Sequence, residues 1–277
     1  MKKTFTTDVR IEIAAAAGQV RAALLDMAAW PSVHRRTVHA EYRERHDRED
    51  LVEVWAANGD GLVNSRLIRR KWEPGSSRIE FASETDDART GRWTVEPQPD
   101  GTTLVGMLHE FAVAEEDLPK TGALVTGLER GSRDYLGTLK RAVENRAEIA
   151  RLTTTVETSQ FVAGPAGAVY AFLSRRAADV GPAIEGGAPG PVLARVLLPP
   201  NEIAYKQLRL PDSVEAHLGR WTLTEHRDGV LVRASQLVRL APGDLDAAGI
   251  VAAQEKLRVA LSAEQADRLR AVKAHVE

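Results

Sequence analysis

The chain has 277 residues, enough for two ordinary domains, and 43% of them are apolar, which is enough for packed cores and too many for a disordered chain. Its 37 basic and 39 acidic residues leave a net charge of −2, which argues against a nucleic-acid-binding surface spread over the whole protein. The absence of cysteine excludes disulfides, cysteine-ligated metals and a thiol nucleophile. No segment approaches the ~20 apolar residues of a membrane helix, and no apolar run follows Lys2 and Lys3. The expected setting is therefore cytoplasmic, with neither nucleic acid nor membrane as a partner.

In chain order, residues 4–13 read as a strand, followed by an Ala/Gly break and a helix with Val20, Leu24 and Met27 on one face. Further strands are predicted at 38–45, 50–57, 61–71, 77–84, 90–97 and 102–113. In the last of these, Thr103, Val105, Met107, His109, Phe111 and Val113 form one alternate, largely apolar set that faces inward. A helical stripe of Leu124, Leu128, Ser132, Tyr135, Leu139 and Val143 closes this half. The second half opens with a strand at 153–163 and a helix that starts at Pro165 and buries Val169, Phe172 and Leu173. Four glycines and three prolines make 181–191 a loop. Strands follow at 191–198, 202–210, 218–227 and 229–240, then a helix with Ile250, Gln254, Leu257, Leu261, Leu269, Val272 and Val276 on one stripe.

The two halves repeat one another. Gly91-Arg92-Trp93-Thr94 recurs 128 residues later as Gly219-Arg220-Trp221-Thr222, and each copy runs into an Asp-Gly turn, Asp100-Gly101 and Asp228-Gly229. Val20 matches Val169 at an offset of 149, and Leu139-Lys140 matches Leu269-Arg270 at 130. The first two offsets differ by 21 residues, close to two strands of ~5–6 residues with a turn. The second half is therefore expected to lack about one hairpin. The pattern gives an α+β fold of two tandem lobes, residues 1–151 and 152–277, each a curved antiparallel sheet around a long C-terminal helix, the second with a reduced sheet.

Tyr205-Lys206-Gln207-Leu208-Arg209, with Ala216-His217 and Gly219-Arg220-Trp221-Thr222, resembles the second half of the bacterial di-domain aromatase/cyclases. Arg69-Arg70 with Pro74, Gly91-Arg92-Trp93-Thr94-Val95-Glu96-Pro97 and Leu108-His109-Glu110 resemble their first half. Trp30-Pro31 is shared across the wider START-like superfamily, so it speaks to fold. The resemblance covers nearly the whole chain except the missing hairpin. It implies tandem helix-grip lobes and no metal or organic cofactor. The implied substrate is a poly-β-ketone on an acyl carrier protein, already reduced at one ketone. The implied reaction is first-ring aldol closure followed by dehydration to an aromatic ring. Other synthase subunits are further implied partners.

Within that resemblance, Arg70 matches a cavity arginine four residues before a proline, placed to stabilise the oxyanion of aldol closure. On the residues alone, Arg69-Arg70-Lys71 reads equally well as a solvated basic strand end, because one residue of register decides the facing. His109 is suited to take an α-proton or to protonate a departing hydroxyl, and periodicity alone allows a core histidine instead. Trp30, Met107, Phe111 and Tyr135 are expected to contact substrate, with Trp30 also readable as a core tryptophan. Thr37, Arg66 and Ile68 complete the expected substrate set, and here the chain departs from its family. Thr37 falls near a family tyrosine, and Arg66 and Ile68 stand at its aromatic and serine positions.

Trp93 and Trp221 are expected in the cores. Arg195 precedes Pro199 as Arg70 precedes Pro74, but the reduced sheet favours a structural or docking role for the second lobe. His34, Arg35 and Arg36 are a candidate rim, and Arg35, Arg36, Arg69 and Lys71 a candidate basic mouth for an acidic carrier protein. Asp86-Asp87 and Glu115-Glu116-Asp117 are expected to be solvated acidic loops. Three functions stay open: the aromatase/cyclase, a non-catalytic START-like protein that binds a polyketide or other apolar ligand, and a structural partner of a synthase complex.

Overall fold

Period-two alternation in the first half becomes β1 (Lys2–Ile13), β2 (Thr37–Arg45), β3 (Glu49–Ala57), β4 (Val63–Lys71), β5 (Arg78–Ser83), β6 (Thr90–Pro97) and β7 (Thr103–Ala114). Between β1 and β2 lie α1 (Ala17–Leu25), a 3-10 turn (Met27–Ala29) and α2 (Trp30–Val33). A second 3-10 turn (Glu115–Lys120) leads into α3 (Thr121–Glu144) and α4 (Arg146–Leu152). The second half holds β8 (Thr153–Val162), α5 (Ala166–Arg175), β9 (Leu193–Leu198), β10 (Glu202–Gln207), β11 (Val214–His226), β12 (Gly229–Leu240) and α6 (Ala247–Val276). The computed structural model describes residues 2–58, 61–85, 89–175, 192–243 and 245–277. Asp86-Asp87 and the loop expected at 181–191 lie outside the described residues.

The first sheet has the order β1-β7-β6-β5-β4-β3-β2, and the second, among the described residues, β8-β12-β11-β10-β9. The fold is α+β, and among the described residues the second sheet is reduced, five strands against seven. Each opening strand pairs antiparallel with the last strand of its sheet, β1 with β7 and β8 with β12. The long helix then packs on that pair, α3 against β1 and β7, α6 against β8 and β12.

The helix ends are tied down alike in both halves. The backbone N–H of Ala14 donates to Glu144 Oε1 (2.6 Å), and that of Ala163 donates to Glu277 Oε1 (2.8 Å). Each bond satisfies an amide where the chain leaves its first strand. At the start of α6, Asp246 accepts from the N–H of Gly249 at 2.7 Å, an N-cap.

The repeated glycines have a packing reason. A Cβ on Gly91 would overlap the Phe81 ring and the Leu108 carbonyl, and one on Gly219 would overlap the Tyr205 ring. In each sheet an aromatic ring on the neighbouring strand therefore lies flat over the glycine. Behind them Trp93 and Trp221 are buried in separate cores.

By contacts the described residues divide into two compact units, one within Met1–His34, Ala40–Val54 and Ser65–Ala147, the other within Arg35–His39, Trp55–Asn64 and Glu148–Glu277. The last passage of the chain from one to the other falls between Ala147 and Glu148. Two short segments of the first sheet group with the second unit, where Val38 and Ala57 join Ala194, Val196 and Ala204 in a small apolar cluster.

Some expectations shift. Leu124 is 41% exposed, and Leu136 takes its place in the buried set of α3. Strand β10 stops at Gln207 and β11 begins at Val214, with a register shift between Val214 and Ala216. That irregularity hides the strand start from a period-two reading. On α6 the buried residue between Leu261 and Leu269 is Gln265, which accepts from Thr158 Oγ1 at 2.7 Å. Glu115, Glu116 and Asp117 are solvated, on a 3-10 turn rather than in a loop. No helix among the described residues is long and apolar enough to cross a membrane, and no cluster of metal-ligating side chains occurs among them.

Candidate active site

Residues opposite one another in an antiparallel ladder share a face, and one cross-strand row of the first sheet carries both expected catalytic residues. The row runs Arg70, Phe81, Gly91, His109, Thr7, from β4 to β1. The equivalent row of the second sheet runs Arg195, Tyr205, Gly219, Gln236, Val156. Arg195 is thus the positional counterpart of Arg70, but the second row has no histidine.

Arg70 is 1% exposed, on the inner face of β4 with Ile68 and Trp72. Its guanidinium is almost fully committed. Nε and Nη2 donate to the two carboxylate oxygens of Asp50 on β3 (2.7 and 2.6 Å). Nη1 and Nη2 donate to the carbonyls of Leu24 and Leu25 (2.8 and 3.0 Å), the last of α1. Four of five N–H donors therefore hold the fold, and the cation caps a helix C-terminus. Burial opposes its charge, but the Asp50 carboxylate outweighs that and leaves Arg70 more firmly protonated than a free arginine. The inward facing that the resemblance implies is present; the free fork of an oxyanion clamp is not. Sequence reading missed Asp50, although its place two residues before Val52 on the same strand face was a signal.

His109 is 9% exposed, with its ring edge-on to Phe81 at 5.3 Å. Nδ1 lies 3.4 Å from Ser132 Oγ on α3, and that hydroxyl gives its only hydrogen to the Leu128 carbonyl at 2.9 Å. Ser132 can then only accept, so the neutral ring carries its proton on Nδ1, and no described residue engages the Nε2 lone pair. Burial, then repulsion from Arg89 and Arg66, pushes His109 down to about 4. At neutral pH it is a base rather than an acid. Thr7, opposite His109, is buried and its hydroxyl has no hydrogen-bond partner among the described residues. It was also missed, since threonine is ordinary in a strand.

Beside this row stands an aromatic stack. The Trp30 ring lies on Tyr135 at 4.2 Å and 12°, Tyr135 is 5.9 Å from Trp93, and Trp93 is 4.3 Å from Phe81. Trp30 is buried in the main cluster, which is its core reading. Met107 and Phe111 are buried on the inner face of β7, Met107 in the main cluster and Phe111 against Phe5 at 6.0 Å. Ile68 packs on the same cluster, whereas Arg66 is exposed.

Thr37 does not join this group. It belongs to the second unit, where its carbonyl accepts from the buried Lys206 ammonium at 3.1 Å. Burial, with Arg239 and Arg35 nearby, pushes Lys206 down to about 7. The expected basic mouth is also revised. Arg69 is bonded to Glu84, Glu49 and Glu44, and Lys71 pairs with Glu49, so acidic residues outnumber basic ones there. Arg35 and Arg36 are exposed with no ion pair among the described residues.

In the second unit His217 is wholly buried, with Nδ1 2.9 Å from Gln207 and Nε2 3.2 Å from Gln236. Burial pushes it down to about 4 as well. Both histidines titrate near 6.5 in the unfolded chain, so between 6.5 and about 4 the unfolded state binds more protons. Stability must then fall as pH drops through that window. Each should contribute a loss of about 2 kcal/mol between pH 7 and pH 5, above the range where most carboxylates titrate. The urea midpoint reads this directly, and His217→Gln should halve the slope whatever its effect on absolute stability. A midpoint that does not change between pH 7 and 5 would mean the rings are not buried neutral.

The whole chain has known likenesses. It is 25% identical over 264 residues, 85% of this chain and 81% of the relative, to the granaticin polyketide synthase bifunctional cyclase/dehydratase of Streptomyces violaceoruber. It is 28% identical over 286 residues, 87% of each chain, to the actinorhodin polyketide synthase bifunctional cyclase/dehydratase of Streptomyces coelicolor. The crystal structure of StfQ, a di-domain aromatase/cyclase of the steffimycin biosynthetic pathway, superposes with a TM-score of 0.81 at 25% identity over 98% of each chain. The polyketide cyclase/dehydrase and lipid transport model matches residues 4–144, from β1 through the end of α3. With the lobe that carries the His109 row matched from its first strand to its last helical turn, the chain belongs to the polyketide cyclase/dehydrase and lipid transport family.

Proposed function

We propose that this chain is an aromatase/cyclase of polyketide biosynthesis that closes the first ring of a carrier-bound, reduced poly-β-ketone and dehydrates it. The observation that carries this reading is the match across both lobes, over 85% and 87% of this chain, to two bifunctional cyclase/dehydratases. The chemistry fits the first lobe. Aldol closure needs a base for an α-proton, and His109 Nε2 is neutral and engaged by no described residue. The imidazolium formed can return its proton to the new alkoxide or to the departing hydroxyl. The rings of Trp30, Tyr135 and Trp93, stacked on one another, make a rigid apolar surface that suits a chain becoming planar as it loses water. Orientation on such a surface selects one of the several closures open to the free chain. Arg70 acts here by holding β3, β4 and α1 together around the site rather than by gripping substrate. An acidic acyl carrier protein is the proposed partner, with Arg35 and Arg36 as the exposed cations available to it.

One observation favours a second reading, a non-catalytic carrier of an apolar ligand: the Arg70 donors are spent inside the fold. Product profiling separates the two. A minimal synthase with its ketoreductase, supplied with this chain, should shift from spontaneously cyclised by-products to one first-ring aromatic product. An unchanged profile, with the polyketide still bound by the protein, would support the carrier.

A further inference from the structure

The Tyr135 hydroxyl is buried in the first lobe with no hydrogen-bond partner among the described residues. Buried polar groups are nearly always paired, so an orphan needs a reason. The ring is not loose, because Trp30 and Trp93 stack on it. Tyr135 lies three residues after Ser132 on α3, one turn along the same face as the hydroxyl that contacts His109. Arg70 is near enough to act on it through charge. The internal repeat supplies a control. At the offset that aligns Leu139 with Leu269, Tyr135 aligns with Gln265, which is fully buried but satisfied within its own lobe by Thr158 and the Val156 carbonyl. The indole N–H of Trp93 is unpartnered too, but so is that of Trp221, which makes it a property of the repeat rather than of one site.

We propose that the Tyr135 hydroxyl is the donor that receives the ketone oxygen under attack, the role the family resemblance gives to Arg70; this rests on the aromatase/cyclase reading. As His109 Nε2 removes the α-proton, the enolate carbon bonds to the ketone carbon and the ketone π pair moves onto oxygen. Tyr135 donates a hydrogen bond to that oxygen and keeps its proton. The His109 imidazolium then protonates the alkoxide, so the base is regenerated and no other reactant is needed. Burial holds the Tyr135 hydroxyl well above the usual phenol range, opposed only by Arg70, and so keeps it protonated as a donor must be.

The test is Tyr135→Phe in the reconstituted synthase, beside the wild type and a reaction without this chain. The variant keeps the stack and deletes only the hydroxyl. Formation of the correctly cyclised product should fall about 100-fold, the usual effect of losing one oxyanion donor, with spontaneous by-products taking its place. The thermal midpoint should not fall, because no bond is lost in the free protein. A variant that matches the wild type in rate and product ratio overturns the inference and leaves the aromatase/cyclase reading intact. A clear drop in thermal midpoint also overturns it, since the hydroxyl would then be bonded inside the fold. If the wild type itself fails to change the product profile, both fall together.

Discussion

Arg70→Ala will destabilise the first lobe by about 3–5 kcal/mol, the usual effect of removing one partner from a buried ion pair. Both side chains of the Arg70–Asp50 pair are 2% exposed, so the abandoned Asp50 carboxylate has no water to turn to. The same change strips the cap from the Leu24 and Leu25 carbonyls and leaves only the Tyr42 hydroxyl on Leu25, at 2.6 Å. Urea unfolding should show the loss as a lower midpoint. A double variant, Arg70→Met with Asp50→Leu, discriminates the cause. Replacing both charges with apolar groups of similar size removes the desolvation burden along with the attraction, so most of the lost stability should return. If Arg70→Ala unfolds at the wild-type midpoint, the pair is not what holds β3, β4 and α1 together. The outcome also bears on function. A loss of activity in Arg70→Ala that parallels its loss of folded protein is a structural effect, and the double variant, folded but without the cation, isolates any direct part Arg70 plays in catalysis.

The strands were legible because half-buried antiparallel sheets impose period two, and β7 shows it most cleanly, with Thr103, Val105, Met107, His109, Phe111 and Val113 all on the interior side. The smaller second sheet of the described residues was legible because Gly91 and Gly219 must accommodate a ring from the neighbouring strand, which fixed both copies of the motif. What remained hidden was pairing across the sequence. Only the alternation with Val52 sets Asp50 apart from its neighbour Glu49, and it names no partner, yet the first is buried against Arg70 and the second meets Arg69 and Lys71 near the surface. Arg70 was therefore identified as an inward arginine while its occupation went unseen. Likewise Gln265 reads as a flaw in an apolar stripe until Thr158 is found opposite it. Thr37 was assigned to the first lobe by family position, but residues 35–39 group with the second unit, a grouping only tertiary contacts define. Element type follows from local pattern; a side chain's role follows from its partner, and partners lie tens of residues away.

His109→Ala should lower formation of the correctly cyclised product by roughly 100- to 10000-fold, the range that general acid–base help supplies. The fold should survive, because the substitution removes a long 3.4 Å hydrogen bond to Ser132, whose hydroxyl remains bonded to Leu128. The pH profile separates chemistry from packing. With burial, Arg89 and Arg66 pushing the imidazole down to about 4, the ring is already neutral at pH 5.5. Wild-type cyclisation should then be flat from about pH 5.5 to 8 and fall only on the acid side, as the base is protonated near 4. An exposed histidine would instead give a rate that climbs through its ordinary value near 6.5. Removing the nearby positive charge with Arg66→Ala should move the acid limb upward, since less repulsion makes the imidazolium easier to form. Arg195→Ala is the internal control: it alters the equivalent row of the other sheet, which has Gln236 where the first has His109, and should leave product ratio and rate unchanged. If His109→Ala forms the correct product at the wild-type rate, or if Arg195→Ala abolishes it while His109→Ala does not, the base lies elsewhere and the first lobe is not where the ring closes.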